Sequence, residues 1–251
     1  KQRTAAGDPI YPTPGLTSIA VLDADRDRRP DLAVVAWSSD FFAILRNEGQ
    51  RRFTQQIYPL PPGPRDVAAA DFNGDGITDL AFTIYSSNLI EVWMGGKDGR
   101  FQKDQQFHSQ GHIPYHLKAG DLDGDGYPEL VVGNRGPSDN VALFRNSKGR
   151  FRFDGTFSTD TRQPGESTAD ELRDVLLQDV DGDGKLDLLA AGHVSHKVIV
   201  WRGTGRSGFG QAFAPAQSRS YPGKGPRALL AVGGRIAVGL FDANEWTWWM
   251  P

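Results

Sequence analysis

The stretch Asp121-Leu-Asp-Gly-Asp125-Gly-Tyr-Pro-Glu129-Leu-Val-Val-Gly133 sets carboxylates at positions 1, 3, 5 and 9 of a nine-residue segment, then runs into an apolar strand-like tract. Three further copies share the spacing: Asp23-Ala-Asp-Arg-Asp27-Arg-Arg-Pro-Asp31, Asp71-Phe-Asn-Gly-Asp75-Gly-Ile-Thr-Asp79 and Asp179-Val-Asp-Gly-Asp183-Gly-Lys-Leu-Asp187. Their starts lie 48, 50 and 58 residues apart, the interval of a repeat architecture.

Fifteen of the thirty-one carboxylates fall in these four segments. Crowding three or four negative charges in one turn is costly unless a cation neutralises them. Oxygens at positions 1, 3, 5 and 9, with the carbonyl at position 7, match the all-oxygen shell of Ca²⁺. No nitrogen or sulfur ligand of the kind zinc or copper favours is present in any copy. Gly76, Gly126 and Gly184 at position 6 permit the positive φ such a loop needs. In the first copy Arg28 takes that place, so its turn closes at a higher conformational cost. An EF-hand would need a bidentate Glu at position 12 on an exiting helix. Position 12 holds Val34, Phe82, Val132 and Ala190, and the exit reads as strand. The EF-hand is excluded.

The chain of 251 residues has 24% charged residues, 30 Gly and 16 Pro, the composition of a globular, turn-rich protein. No apolar run reaches the length of a membrane span, and with no cysteine neither disulfides nor thiol chemistry enter. The chain opens at Lys1 without an initiating Met, as a processed or trimmed protein would. Weak loops of this kind fill where calcium is plentiful, which points to an extracytoplasmic location, secreted, periplasmic or on the cell surface. The formal charge is −3, and four bound Ca²⁺ would turn it to +5.

Each unit reads as four short antiparallel strands, the pattern of a propeller blade. First strands enter the acidic loops (Ser18 to Leu22, Val67 to Ala70, His116 to Ala119, Val175 to Gln178) and second strands leave them. Third strands follow, and a Gly-rich turn ending in Phe53, Phe101, Phe151 or Phe209 introduces the fourth. A fifth unit lacks the loop: the runs 227–232 and 235–239 are joined by Gly233-Gly234, and the run 246–250 supplies a third strand. The stretch 8–12, Asp-Pro-Ile-Tyr-Pro, is expected to complete that last blade. The expectation is one all-β domain over residues 1–251, a closed five-bladed β-propeller with blade cores near 17–57, 65–107, 115–157, 173–213 and 227–250 plus 8–12.

The D-x-[DN]-x-D-G-x-x-[DE]-L loops resemble the FG-GAP/VCBS repeats of integrin-α-like calcium-binding propellers, also found in fungal lectins and bacterial secreted proteins. Familiar members have seven blades, so five is a departure. The resemblance implies that calcium is held by Asp23, Asp25, Asp27 and Asp31; by Asp71, Asn73, Asp75 and Asp79; by Asp121, Asp123, Asp125 and Glu129; and by Asp179, Asp181, Asp183 and Asp187. Carbonyls of Arg29, Ile77, Tyr127 and Lys185 would add one oxygen each. Such closed sites are structural.

Recognition is expected at the other ends of the strands. Trp37, Tyr85, Arg135, His193 and Phe241 occupy one repeat position. Arg65, Tyr115, His116, Arg173 and Arg227 stand before the first strands. Aromatic faces beside Arg and His suit a glycan or protein partner, although the aromatics could instead fill seams between blades. The polar linker 158–172 is a second candidate contact site. The pairs His112/His116 and His193/His196 are too few ligands for a zinc site, and Trp246-Thr-Trp-Trp249 reads as last-blade packing. No catalytic set, phosphate-binding loop or nucleic-acid motif is present. The expected function is a non-catalytic, calcium-stabilised interaction module or accessory subunit. The alternatives are a lectin and a glycosidase using Asp66 and Asp174, whose neighbours Arg65 and Arg173 favour charge pairing instead.

Overall fold

The structure, a computed structural model, describes residues 15–136, 140–159, 171–206, 211–214 and 217–249. The chain divides into two compact units, residues 1–108 and 109–251. Among the described residues every regular element is a strand, and no helix is long and apolar enough to cross a membrane.

The first unit holds two four-stranded antiparallel sheets in sequential order. One is β1 (Leu16–Leu22), β2 (Asp31–Ala36), β3 (Phe41–Asn47) and β4 (Phe53–Pro59); the other is β5 (Pro64–Ala70), β6 (Asp79–Ile84), β7 (Leu89–Gly95) and β8 (Phe101–His108). The second unit holds β9 (Pro114–Gly120) to β12 (Arg150–Ser158), with β10 (Glu129–Asn134) and β11 (Asn140–Ser147) between them. It also holds β13 (Leu172–Gln178), β14 (Asp187–Gly192), β15 (Lys197–Trp201) and β16 (Gln217–Ser220). A three-stranded sheet follows: β17 (Pro226–Val232), β18 (Arg235–Leu240) and β19 (Glu245–Trp249). The stretch 8–12, expected as its fourth strand, and Phe209 lie outside the described residues, as does most of the 158–172 linker.

Sequence polarity explains the order within each sheet. The second strands are apolar on both faces, and all six residues of β6, β10 and β14 are buried. Outer strands such as β8 and β12 alternate and face solvent. In the first unit Phe42, Tyr58, Phe82, Trp93 and Phe101 fill the space between the two sheets, with Phe42 stacked on Tyr58 at 4.8 Å and edge-on to Trp93 at 5.1 Å. In the second unit Leu143, Leu172, Val175, Leu188 and Trp201 pack in one cluster, and Val198, Leu229, Val238 and Trp249 in another. Trp249 is buried, whereas Trp246 and Trp248 are exposed, so only part of that run packs. Gly233 and Gly234 both have positive φ, as a two-residue hairpin between β17 and β18 requires.

Four of the five first strands begin two or three residues earlier than the sequence pattern indicates, and the fifth one residue earlier. The cause is a β-bulge near the start of each one. Pairing skips Thr17, Arg65, Tyr115, Arg173 and Arg227 in β1, β5, β9, β13 and β17. A bulge breaks alternation and re-aims the extra side chain. Four of these five bulged positions carry Arg or Tyr.

Candidate functional site

The four acidic loops share one hydrogen-bond scheme. The position 1 carboxylate accepts the position 6 amide: Arg28 to Asp23 at 3.0 Å, Gly76 to Asp71 at 2.7 Å, Gly126 to Asp121 at 2.9 Å and Gly184 to Asp179 at 2.9 Å. The position 3 side chain accepts the position 5 amide, and position 5 accepts the amide of Arg29, Ile77, Tyr127 or Lys185. Positions 4 and 6 both take positive φ. In three loops both are Gly, and in the first they are Arg26 and Arg28. Left-handed backbone at a residue with a Cβ costs about 1–2 kcal/mol.

This arrangement suits a hard cation. Side-chain oxygens of Asp23, Asp25 and Asp27, of Asp121, Asp123 and Glu129, and of Asp179, Asp181 and Asp187 lie within 4.8 Å of one another in each group. Among the described residues the groups that could hold a metal contain only carboxylates, so neither histidine pair forms one. Asp71, Asn73, Asp75 and Asp79 follow the same scheme with one carboxamide. The chain also brings its own cations: Arg29 meets Asp27, Arg145 lies 3.0 Å from Asp123, Lys185 2.8 Å from Asp183, and Arg202 3.4 Å from Asp181. Any bound ion competes with these for the same oxygens.

The position 9 carboxylate has a second task. Asp31, Asp79, Glu129 and Asp187 are fully buried or nearly so. One oxygen accepts the position 2 amide (Ala24 2.9 Å, Phe72 2.9 Å, Leu122 2.8 Å, Val180 3.0 Å). The other accepts an amide at the end of the third strand (Asn47 2.8 Å, Gly95 2.8 Å, Asn146 3.5 Å, Gly203 2.7 Å). It staples the acidic loop to the far side of its sheet.

Burial pushes Asp79 up to about 6 and Glu129 up to about 7, against the opposing effect of the amides, with nearby loop acids adding to the rise. A carboxylate raised on folding stabilises the fold most below its unfolded pKa, and that contribution is lost as pH rises through the folded value. Chelated protein should therefore melt at a lower temperature at pH 7.5 than at pH 4.5, and Glu129→Gln should flatten the profile. A melting temperature that climbs over the same interval would show that the amide bonds outweigh burial.

At the other end of the sheets stand the bulged residues and the residues that leave the second strands. That exit residue is pinned by its own backbone: the amides of Tyr85, Arg135, His193 and Phe241 bind the carbonyls of Gly63, Ile113, Glu171 and Gly225. In the second unit the pairs close up. Arg135 lies over Tyr115 at 5.4 Å and Arg227 over Phe241 at 4.0 Å. Glu171 bridges Arg135 at 3.0 Å and Arg173, and His193 stands 3.8 Å from Glu171 and 3.4 Å from Asp242. Burial alone would raise the Glu171 carboxyl, but Arg135 and Arg173 outweigh it and hold it below its ordinary value. Trp37, Tyr85 and Phe241 are 60%, 44% and 61% exposed, so they do not fill seams between sheets.

Asp66 accepts the Ser18 hydroxyl and the Val67 amide at 2.9 Å. Asp174 accepts the amides of Val175 at 2.9 Å and Leu229 at 2.8 Å, with His116 at 3.6 Å. Both carboxylates thus tie neighbouring first strands together. His196 likewise accepts the Gly225 amide at 3.1 Å.

Glu171 and Asp242 escaped the sequence reading. Aligning the repeats would have flagged Glu171, which takes the place of Gly15, Gly63 and Gly225. All three glycines have positive φ there, and so do Glu171 and Ile113.

The model of the FG-GAP-like repeat matches residues 23–82 and 73–132, a span holding the first three acidic loops. Among curated proteins, none matches by sequence. Similar solved structures include a protein from Lactobacillus plantarum, with a TM-score of 0.61 and 17% identity over 93% of this chain and 70% of that one. An Agrocybe aegerita lectin with specific recognition of non-reducing terminal N-acetylglucosamine has a TM-score of 0.52 and 19% identity, over 79% of this chain and 50% of its own. The periplasmic gluconolactonase of Pseudomonas aeruginosa gives 0.54 and 20%, over 82% and 57%. The chain thus spans half of the lectin and 57% of the lactonase, and at these identities the likeness is one of fold.

Proposed function

Through residues 23–132 the chain belongs to the FG-GAP-like repeat family, and we propose that it is a non-catalytic binding module built of propeller blades and stiffened by calcium. The observation that carries this reading is the division of labour along each strand. Acidic side chains at one end are knitted into their own loops. At the opposite end, bulges and pinned exit residues gather Tyr115, Arg135, Arg173, His193, Arg227 and Phe241 in the second unit. Rigid strands presenting cationic and aromatic groups from their ends are a common way to build a recognition surface.

Calcium fits the loops by donor chemistry, and its role there is to relieve the repulsion among acids that the fold forces together. Weak sites of this kind favour an extracytoplasmic setting. A glycosidase would need two free carboxylates facing one sugar. The engagement of Asp66 and Asp174 by backbone amides argues against that use.

Glycan and peptide arrays probed in millimolar calcium test the reading. A captured ligand whose signal falls at least tenfold in Arg173→Ala is the expected result. Silence in both arrays would overturn it, as would turnover of the captured ligand that is abolished by Asp174→Asn.

A further inference from the structure

We propose that Arg135, Arg173 and Arg227 form a site for a ligand carboxylate in the second unit, with Glu171 as an internal occupant of part of it. This deepens the binding-module reading and rests on it.

The local charge balance points to a monoanion. Glu171 is shared by Arg135 and Arg173, and Asp242 stands 3.4 Å from His193. Among the described residues Arg227 makes no ion pair; it lies against the Phe241 ring. Burial, followed by repulsion from Arg173, pushes its pKa down, as expected of a cation lacking its counter-charge. The Arg173 Nε is buried without a hydrogen-bond partner. A guanidinium donor is thus left over where the ligand charge is missing.

The backbone points the same way. Bulges extrude Arg173 and Arg227 from their strands. Glu171 holds a left-handed φ of 52° at a place where three of the five repeats use glycine. Strained backbone and bulges concentrate at functional sites. Glu171 also shows which ligand geometry the arginines accept: a planar carboxylate with one oxygen to each guanidinium. A phosphate dianion would carry more charge than the single unmatched cation offers.

Calorimetric titration at fixed ionic strength, in calcium, tests this with sodium glucuronate, N-acetylglycine, glucose and inorganic phosphate. Both carboxylates should bind in the millimolar range and glucose should not. The tighter of the two identifies the source, an acidic sugar or a chain terminus. Arg227→Gln should weaken carboxylate binding about tenfold or more, whereas Glu171→Gln, which removes the internal competitor, should strengthen it. Thermal scans of both variants establish that they are folded. No carboxylate binding, phosphate binding more tightly than either carboxylate, or equal affinity in wild type and both variants would overturn the proposal. A neutral array ligand captured at this face without carboxylate binding would sink this inference alone and leave the module intact. Silent arrays alongside carboxylate binding would do the reverse.

Discussion

Transferring the protein from millimolar calcium into chelator should lower its melting temperature by roughly 10–20 °C. A site held at about ten times its dissociation constant contributes about 1.4 kcal/mol to stability. Four such sites give about 5–6 kcal/mol, and a chain of this size shifts about 2–4 °C per kcal/mol. The geometry separates this effect from loss of the turns themselves. Asp125 accepts the Tyr127 amide through Oδ1 alone at 2.9 Å, a bond that asparagine can also make. Asp125→Asn should therefore lose its share of the calcium increment while melting in chelator at or slightly above the wild-type temperature, because one repelling charge is gone. The first loop should contribute least, since Arg26 and Arg28 carry positive φ where the other loops have glycine and Arg29 already pairs with Asp27. Equal melting temperatures in calcium and chelator would mean that the protein's own amides and basic side chains suffice to hold the loops.

The repeat of Asp and Gly made the number of acidic loops and the strand that follows each legible, because oxygen spacing and apolar runs are local signals. The fifth sheet was legible from Gly233-Gly234 for the same reason. Bulges were not, because a bulge interrupts the alternation by which a strand is recognised, so the first strands were read as starting at Ser18, Val67, His116 and Val175. The exit residues Trp37, Tyr85, Arg135, His193 and Phe241 were found by counting from the loops, and the structure leaves their aromatics exposed. Glu171 was missed because it sits against a long polar segment and belongs to no motif. Its meaning depends on Arg173, two residues further along, and on Arg135, which approaches it from the end of another strand. The second use of position 9 was also invisible. A sequence shows that an acid closes the loop, but not that an amide on the third strand waits for its other oxygen.

That second use leads to the other large effect. Asp79→Ala should destabilise the protein by about 3–5 kcal/mol even in chelator, because the buried amide of Phe72 and the half-buried amide of Gly95 both lose their acceptor and each orphaned group costs about 1–3 kcal/mol. Asp79→Asn should cost less than Asp79→Ala, since a carboxamide accepts one of the two amides and buries no charge, although its NH₂ faces the other. A rearrangement of the third strand offers little relief. A Cβ on Gly95 would lie 2.3 Å from the Thr78 carbonyl oxygen, and one on Gly203 would lie 2.2 Å from that of Leu186, so strand end and loop are already in close contact. In the first and third loops Asn47 and Asn146 make the corresponding link by donating side-chain bonds to the Pro30 and Pro128 carbonyls at 3.2 and 3.0 Å. Urea unfolding in chelator provides the measurement, with Asp125→Asn as the comparison. A metal ligand and nothing more would leave the Asp79→Ala midpoint where the wild type has it, whereas a staple lowers it with no calcium present. Asp187→Ala should cost more than Asp79→Ala, because it also gives up the Arg202 pair at 3.1 Å, and Glu129→Ala less, because the Asn146 amide lies 3.5 Å from Glu129 and has the least to lose.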